Sequence, residues 1–157
     1  MDILSKLTLE KSINSKDSVN IAKAYTYIGD YYQSQAISDS AFLNYFRAEK
    51  IYLETNDNFQ LAKTYLTKAD LQLIEGDFFE SEITVFKALK ILKDEKDVAM
   101  DIYDSYNLLG IIYNQREEYE KALEYHQKAL DIVKQNDLSF FNQKTTTLNL
   151  HDNAIYL

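Results

Sequence analysis

Hydrophobic and polar positions follow a helical period along the chain, and they do so most clearly in residues 103–129. Tyr106 and Gly110 lie four residues apart and therefore share one face of a helix. After a short polar turn, Ala122 and Ala129 lie seven residues apart on one face of a second helix. Such small residues let two helices approach closely, so the segment predicts a helical hairpin.

The small positions of this hairpin recur along the chain with a period of 40 or 41 residues. On the first helix of each copy they are Gly29, Ala69 and Gly110. On the second helix they are Ala48, Ala88 and Ala129. Three copies in phase predict three stacked hairpins, at 18–54, 58–94 and 98–135.

Both ends of the chain differ from the repeated pattern. Residues 1–16 carry a short apolar helical pattern that fits either the second half of a preceding repeat or a capping helix. Residues 138–157 predict a further helix without the small-residue register, which we interpret as a cap or a partial fourth repeat. The apolar end at 155–157 suggests that the protein continues there or that this end packs on another chain.

Composition agrees with a single helical domain over residues 1–157. Pro is absent, and Gly, the other strong helix breaker, occurs only three times. The net charge of −8 repels phosphate, which argues against binding of nucleic acid or anionic membranes by this segment. No apolar run approaches the ~20 residues of a membrane helix. We expect a soluble segment, compatible with either cytoplasm or periplasm.

No catalytic constellation is visible in the sequence. The three Gly residues are scattered and form no phosphate-binding loop, and Cys is absent. His126 and His151 have no ligand partners at metal-binding spacing, and His126 falls at a helix-packing position. We therefore predict a protein that is not an enzyme and that carries no metal or cofactor.

The third copy resembles the tetratricopeptide repeat. The matching residues are Tyr106-x2-Leu109-Gly110-x2-Tyr113, followed by Ala122-x3-His126. The first copy is similar, with Tyr25-x2-Ile28-Gly29-x2-Tyr32 followed by Ala41-x3-Tyr45. The middle copy is looser, and the unexpected residues are Lys68, Gln72, Ser81 and Val85. The period is six or seven residues longer than the usual ~34, as in bacterial signalling proteins and motor-protein cargo adaptors.

The resemblance implies an all-α, right-handed solenoid whose concave groove is lined by the first helices. Groove positions in the three copies are Lys23, Tyr27 and Asp30; Lys63, Thr67 and Asp70; and Asp104, Asn107, Ile111 and Asn114. Some family members grip a C-terminal carboxylate with cations and amides in this groove. Thr26, Asp30, Thr67, Asp104 and Leu108 stand at the corresponding positions here. This disfavours an acidic tail as partner and favours a basic or neutral one.

The leading functional hypothesis is a non-enzymatic scaffold for protein–protein or protein–peptide interaction, as the sensory or adaptor fragment of a larger bacterial signalling protein. One alternative is a peptide-sensing regulator of quorum-sensing type, in which Asn107 and Asn114 would grip a peptide backbone. A remote alternative is an all-α enzyme, with His126 as its best candidate. The open ends of the array would also allow self-association.

Overall fold

The structure, a computed structural model, describes residues 7, 10–11, 13 and 17–153, with side chains up to residue 136. Six helices account for most of this part of the chain, and it contains no strand. They are α1 (Ser18–Ser34), α2 (Ser38–Thr55), α3 (Asn58–Ile74), α4 (Phe78–Leu92), α5 (Ala99–Gln115) and α6 (Tyr119–Asn153). The expected all-α class is confirmed, and the consecutive packing of helices is that of a solenoid.

The chain divides into two compact units, Met1–Lys96 and Asp97–Leu157. Within the first unit α1 packs on α2, α2 on α3 and α3 on α4. Within the second unit α5 packs on α6. The pairs α1–α2, α3–α4 and α5–α6 are thus the three hairpins, and in the first unit two of them are joined through α2 and α3.

Polar residues at the breaks between helices supply the helix caps. The carboxylate of Asp17 accepts a hydrogen bond from the Asn20 amide at 3.1 Å, and Asp57 does the same for Gln60 at 3.2 Å. Each bond satisfies one of the amides that a helix N-terminus leaves unpaired. Gly76 turns the chain between α3 and α4 with a φ of +83°, a conformation that costs glycine little.

The hairpins close on the small residues that the sequence pattern identified. A Cβ placed on Gly29 would lie 2.5 Å from Cε1 of Tyr45, and one on Gly110 would lie 2.5 Å from Cε1 of His126. Both aromatic rings therefore occupy the space that a side chain would need. In each case the ring follows the glycine by 16 residues along the chain.

Two of the four unexpected residues of the middle copy, Val85 and Ser81, are explained by the packing of this hairpin. At the corresponding pair this copy carries Ala69 and Val85, both fully buried, so a larger first residue accompanies a smaller second one. Ser81 takes the place of an alanine, and its hydroxyl donates to the carbonyl of Ala69 at 2.7 Å. Buried polar groups are tolerated when they are paired in this way.

The C-terminal helix differs from the prediction. The sequence placed a break near residue 136 and a new helix from 138, whereas α6 continues from Tyr119 to Asn153. Neither Pro nor Gly follows Gly110, so nothing in the backbone forces the helix to end. Residues 154–157 and most of 1–16 lie outside the described part, where the interpretation as caps or partial repeats stays a prediction. Leu7, Glu10, Lys11 and Ile13 are helical.

Candidate peptide-binding cleft

Helices α1 and α3 line a cleft of about 470 Å³ within the first unit. Five of the six predicted groove residues of the first two copies lie on its walls: Lys23, Tyr27 and Asp30 on α1, and Lys63 and Thr67 on α3. These side chains come from elements that are far apart in sequence but face the same space. The first helices of two neighbouring repeats therefore form one shared surface.

The walls of the cleft follow a regular helical register. The α1 wall is formed by residues 23, 26, 27 and 30, and the α3 wall by residues 60, 63, 64 and 67. Both sets run i, i+3, i+4 and i+7, which is one face of a helix. Sequence reasoning missed Gln60, Thr64 and Tyr52, which also line the cleft. Extending the helical spacing from Lys63 and Thr67 would have found the first two.

The cleft combines exposed cations, hydroxyl groups and one large aromatic side chain. Lys23 and Lys63 are exposed, and the Lys63 ammonium lies 5.5 Å from the centre of the Phe59 ring. Tyr27 is 57% exposed, which leaves most of its ring available for contact. Thr26 donates to the Ala22 carbonyl at 3.2 Å, so its methyl group and hydroxyl are held in one orientation. Such a surface offers stacking and polar contacts together.

Hydrogen-bonded polar side chains join α1, α2 and α3 at one end of the cleft, and we call this network of Asp30, Tyr45, Gln33 and Asp70 the brace. The Tyr45 hydroxyl lies 2.8 Å from Oδ1 of Asp30 and 2.7 Å from Oε1 of Gln33. Gln33 in turn donates through Nε2 to Oδ2 of Asp70 at 3.2 Å, which joins α1 to α3. The sixth predicted groove residue, Asp70, is therefore part of this brace and does not line the cleft. Burial, together with the neighbouring carboxylates, raises the pKa of Tyr45, so its hydroxyl stays protonated.

Burial raises the pKa of the Asp30 carboxyl, and the hydrogen bond from Tyr45 opposes the rise only in part. A carboxyl with a raised pKa in the folded state stabilises the protein most below its unfolded value of 3.8, and this contribution is lost as the pH rises through the folded pKa.

We expect Asp30→Asn to flatten this part of the pH dependence of stability. The urea midpoint of the wild type should fall, relative to that of the variant, as the pH rises from 4 towards neutrality. Asp94→Asn, which removes an exposed carboxyl just after α4, is the control and should retain the wild-type profile. Identical profiles for wild type and Asp30→Asn would contradict the raised pKa.

The predicted groove residues of the third copy lie in the second unit, on α5. Asp104 and Asn114 are exposed, and Asn107 and Ile111 are half-buried, so all four remain near the surface of one helix face. His126 packs its imidazole over Gly110 while its outer edge is exposed.

Within the described residues, no group of three or more potential ligands is placed to hold a metal ion. No described helix has the length and apolar character needed to cross a membrane.

Paired antiparallel helices that meet on small residues define a helical-repeat protein. Residues 103–136 match the family model of the tetratricopeptide repeat, and the helical hairpins of the chain are consistent with that family. Repeats of this kind generally mediate protein–protein interaction and are typically non-enzymatic scaffolds. The resemblance stated from the sequence is thereby confirmed.

One solved structure of the same fold is the crystal structure of BtubC (BKLC) from P. vanneervenii. The sequences are 16% identical, and the superposition has a TM-score of 0.76 over 85% of this chain. The match covers 55% of the BtubC chain, so the present chain spans about half its length. A comparison with curated proteins gives no match.

Proposed function

We propose that this protein is a non-enzymatic binding scaffold and that the cleft between α1 and α3 holds an extended segment of a partner protein. The observation that carries the proposal is the convergence of two i, i+3, i+4, i+7 faces on one cleft of about 470 Å³. An extended peptide presents side chains in alternating directions, so two facing helices contact both sets at once. The exposed ring of Tyr27 in the cleft provides the kind of rigid aromatic contact that dominates many interfaces.

The charge of the whole protein favours a partner that is basic or neutral overall, and the cleft itself favours a bound segment of mixed charge. A net charge of −8 attracts basic segments over a distance, while Asp30 gives one end of the cleft a local acceptor. Thr26 and Thr67 stand where carboxylate-gripping repeats carry cations or amides, and they offer only neutral hydroxyls. Lys23 and Lys63 favour an acidic side chain within the bound segment, so the proposed ligand has mixed charge.

The length of the repeat supports a proposal about the kind of protein in which this chain functions. We propose that the chain is the sensory or adaptor fragment of a larger bacterial signalling protein, because its 40- or 41-residue period resembles the long repeats of such proteins. A peptide-sensing regulator is the second candidate. It is supported by Asn107 and Asn114, which lie seven residues apart on one face of α5 and present backbone-pairing amides.

The cleft proposal is tested with peptides selected from a random display library on the full 157-residue chain. The affinity of the selected peptides for wild type and variants is then measured by fluorescence anisotropy. We expect Tyr27→Ala to weaken binding about tenfold or more, since buried aromatic contacts at interfaces often contribute above ~1.4 kcal/mol. Lys63→Ala should weaken it several-fold.

Lys50→Ala is the matched control, because Lys50 is exposed on α2 and does not line the cleft. Its affinity for the same peptides should equal that of the wild type. Peptides that bind Tyr27→Ala and Lys63→Ala as tightly as the wild type would contradict the assignment of the cleft. The second candidate makes the opposite prediction, that Asn107→Ala and Asn114→Ala are the variants that lose affinity.

A further inference from the structure

Helix α6 carries a second apolar stripe that its own hairpin does not cover. The exposed fractions of its large apolar side chains are 63% for Tyr119, 71% for Leu123, 45% for Leu130 and 36% for Val133. His126, also exposed, lies between Leu123 and Leu130. The five positions follow each other at spacings of four, three, four and three residues. This is the spacing of a coiled-coil seam, which we call the α6 seam.

Apart from His126, whose imidazole also packs over Gly110 of α5, the seam is distinct from the face that α6 turns to α5. That hairpin face carries Ala122 and Ala129, which are buried, and Tyr125, whose ring stacks on Tyr113 with centroids 5.3 Å apart. At 100° per residue the centres of the two faces lie roughly 100° apart around the helix. Contact with α5 therefore does not account for the apolar residues of the seam.

The charged residues beside the seam are arranged to fit a second copy running in the opposite direction. Glu120 lies beside the N-terminal end of the seam and Lys134 beside its C-terminal end, on the same side. An antiparallel pairing that sets Leu123 against Val133 of the second copy also brings Glu120 opposite Lys134 of the second copy. Twofold symmetry makes each of these contacts twice.

The competing parallel arrangement lacks this complementarity. It would set identical residues at the same level, so that each Glu120 is level with another Glu120. Among the described residues Glu120 has no ion-pair partner, and Lys134 makes only a long contact of 3.9 Å to Asp131. Both charges are thus available for pairing across a symmetric contact.

We propose that this protein forms an antiparallel homodimer through the α6 seam. The core of the contact is Leu123 against Val133 of the second copy and His126 against Leu130 of the second copy. This surface is separate from the peptide cleft on α1 and α3, so the proposal stands independently of the proposed binding function. It also gives the predicted self-association a defined surface and direction.

Sedimentation equilibrium of the full chain over micromolar to millimolar concentrations tests the association. The wild type should be a reversible dimer, and Leu123→Glu should raise its dissociation constant at least about thirtyfold, because it sets a charge in each half of the seam. Ile74→Glu is the matched control, since Ile74 is 63% exposed on α3 and outside the seam. Circular dichroism should show unchanged helicity in both variants.

Cysteine cross-linking tests the direction, and the chain helps because it contains no Cys of its own. A mixture of Leu123→Cys and Val133→Cys chains should form the disulfide-linked dimer under mild oxidation. Neither variant alone should do so, since identical positions would lie about 15 Å apart along the seam.

Three results would overturn the proposal. A wild-type chain that stays monomeric throughout would leave the seam to another protein or to a further repeat. A dimer unaffected by Leu123→Glu would place the contact elsewhere, and cross-linking of each variant alone would show a parallel pairing.

Discussion

Replacing Gly29 with alanine is expected to destabilise the protein by about 2–3 kcal/mol, despite the better helix propensity of alanine. The added Cβ would lie 2.5 Å from Cε1 and 2.7 Å from Cδ1 of Tyr45. Tyr45 cannot move away at low cost, because its side chain is fully buried and its hydroxyl bonds to the polar chain at the end of the cleft. Urea unfolding followed by circular dichroism measures the loss.

The middle repeat suggests how the loss is rescued. Its corresponding pair is Ala69 and Val85, which are both fully buried without a glycine. Introducing that pair as Gly29→Ala/Tyr45→Val should therefore cost less than the sum of the two single substitutions, by about 1–2 kcal/mol in a double-mutant cycle. Simple additivity would show that Tyr45 is not what excludes a side chain at residue 29.

The third repeat provides the control for this prediction. A Cβ on Gly110 would approach His126 as closely as one on Gly29 approaches Tyr45. His126, however, is exposed in the single chain, so at concentrations where the protein is monomeric its ring has solvent into which it can rotate. Gly110→Ala should consequently cost about 1 kcal/mol or less. Equal losses at the two glycines would mean that the burial of the opposing ring does not decide the cost.

Much of this hairpin architecture could be predicted from the spacing of small residues. The positions of Gly29 and Gly110 follow from the helical period and the repeat, because close approach of two helices restricts residue size at fixed intervals.

The cleft was predicted only in part. A 40-residue shift relates Lys23 to Lys63, which both line the cleft, but the bond from Gln33 to Asp70 sets α1 against α3 with an offset of 37 residues. That offset depends on how neighbouring hairpins stack, which no local pattern encodes.

Contacts between repeats were also beyond the sequence pattern. Lys68 was recognised as a departure from the family pattern, and nothing local indicated that its partner is Glu49, 19 residues earlier on another hairpin. Asp70 was assigned to the groove from its register alone, and its bond to Gln33 explains why it lies in the brace instead. The continuation of α6 beyond residue 136 does not follow from the pattern, because the polar residues there resemble the breaks between the earlier hairpins. Polar residues end a helix only when they cap it or change its backbone conformation.

The largest electrostatic effect on the free energy of unfolding is expected at the ion pair between Lys68 and Glu49. The two groups are 2.5 Å apart, and their side chains are only 11% and 15% exposed. The Lys68 ammonium also lies 4.9 Å from the centre of the Phe42 ring, so it contacts α2 through both charge and aromatic surface. Burial, and after it the charge and the hydrogen bond of Glu49, raises the pKa of the neighbouring Tyr65.

Lys68→Met is expected to destabilise the protein by about 2–4 kcal/mol, because it leaves the Glu49 carboxylate in the α2–α3 interface without its cation. The double variant Lys68→Met/Glu49→Gln should recover to within about 1 kcal/mol of the wild type, since two neutral side chains of similar size need no compensating charge. Thermal and urea unfolding of the four proteins in the cycle provide the measurement.

Lys63→Met is the matched control, as Lys63 lies on the same helix and is exposed. Its expected effect on stability is within about 0.5 kcal/mol of zero. A loss for Lys68→Met no greater than this would show that water already screens the ion pair. Because α2 and α3 join two hairpins, a large loss would instead show that the stacking of these repeats depends on one buried charge pair, and with it the spacing of the α1 and α3 walls.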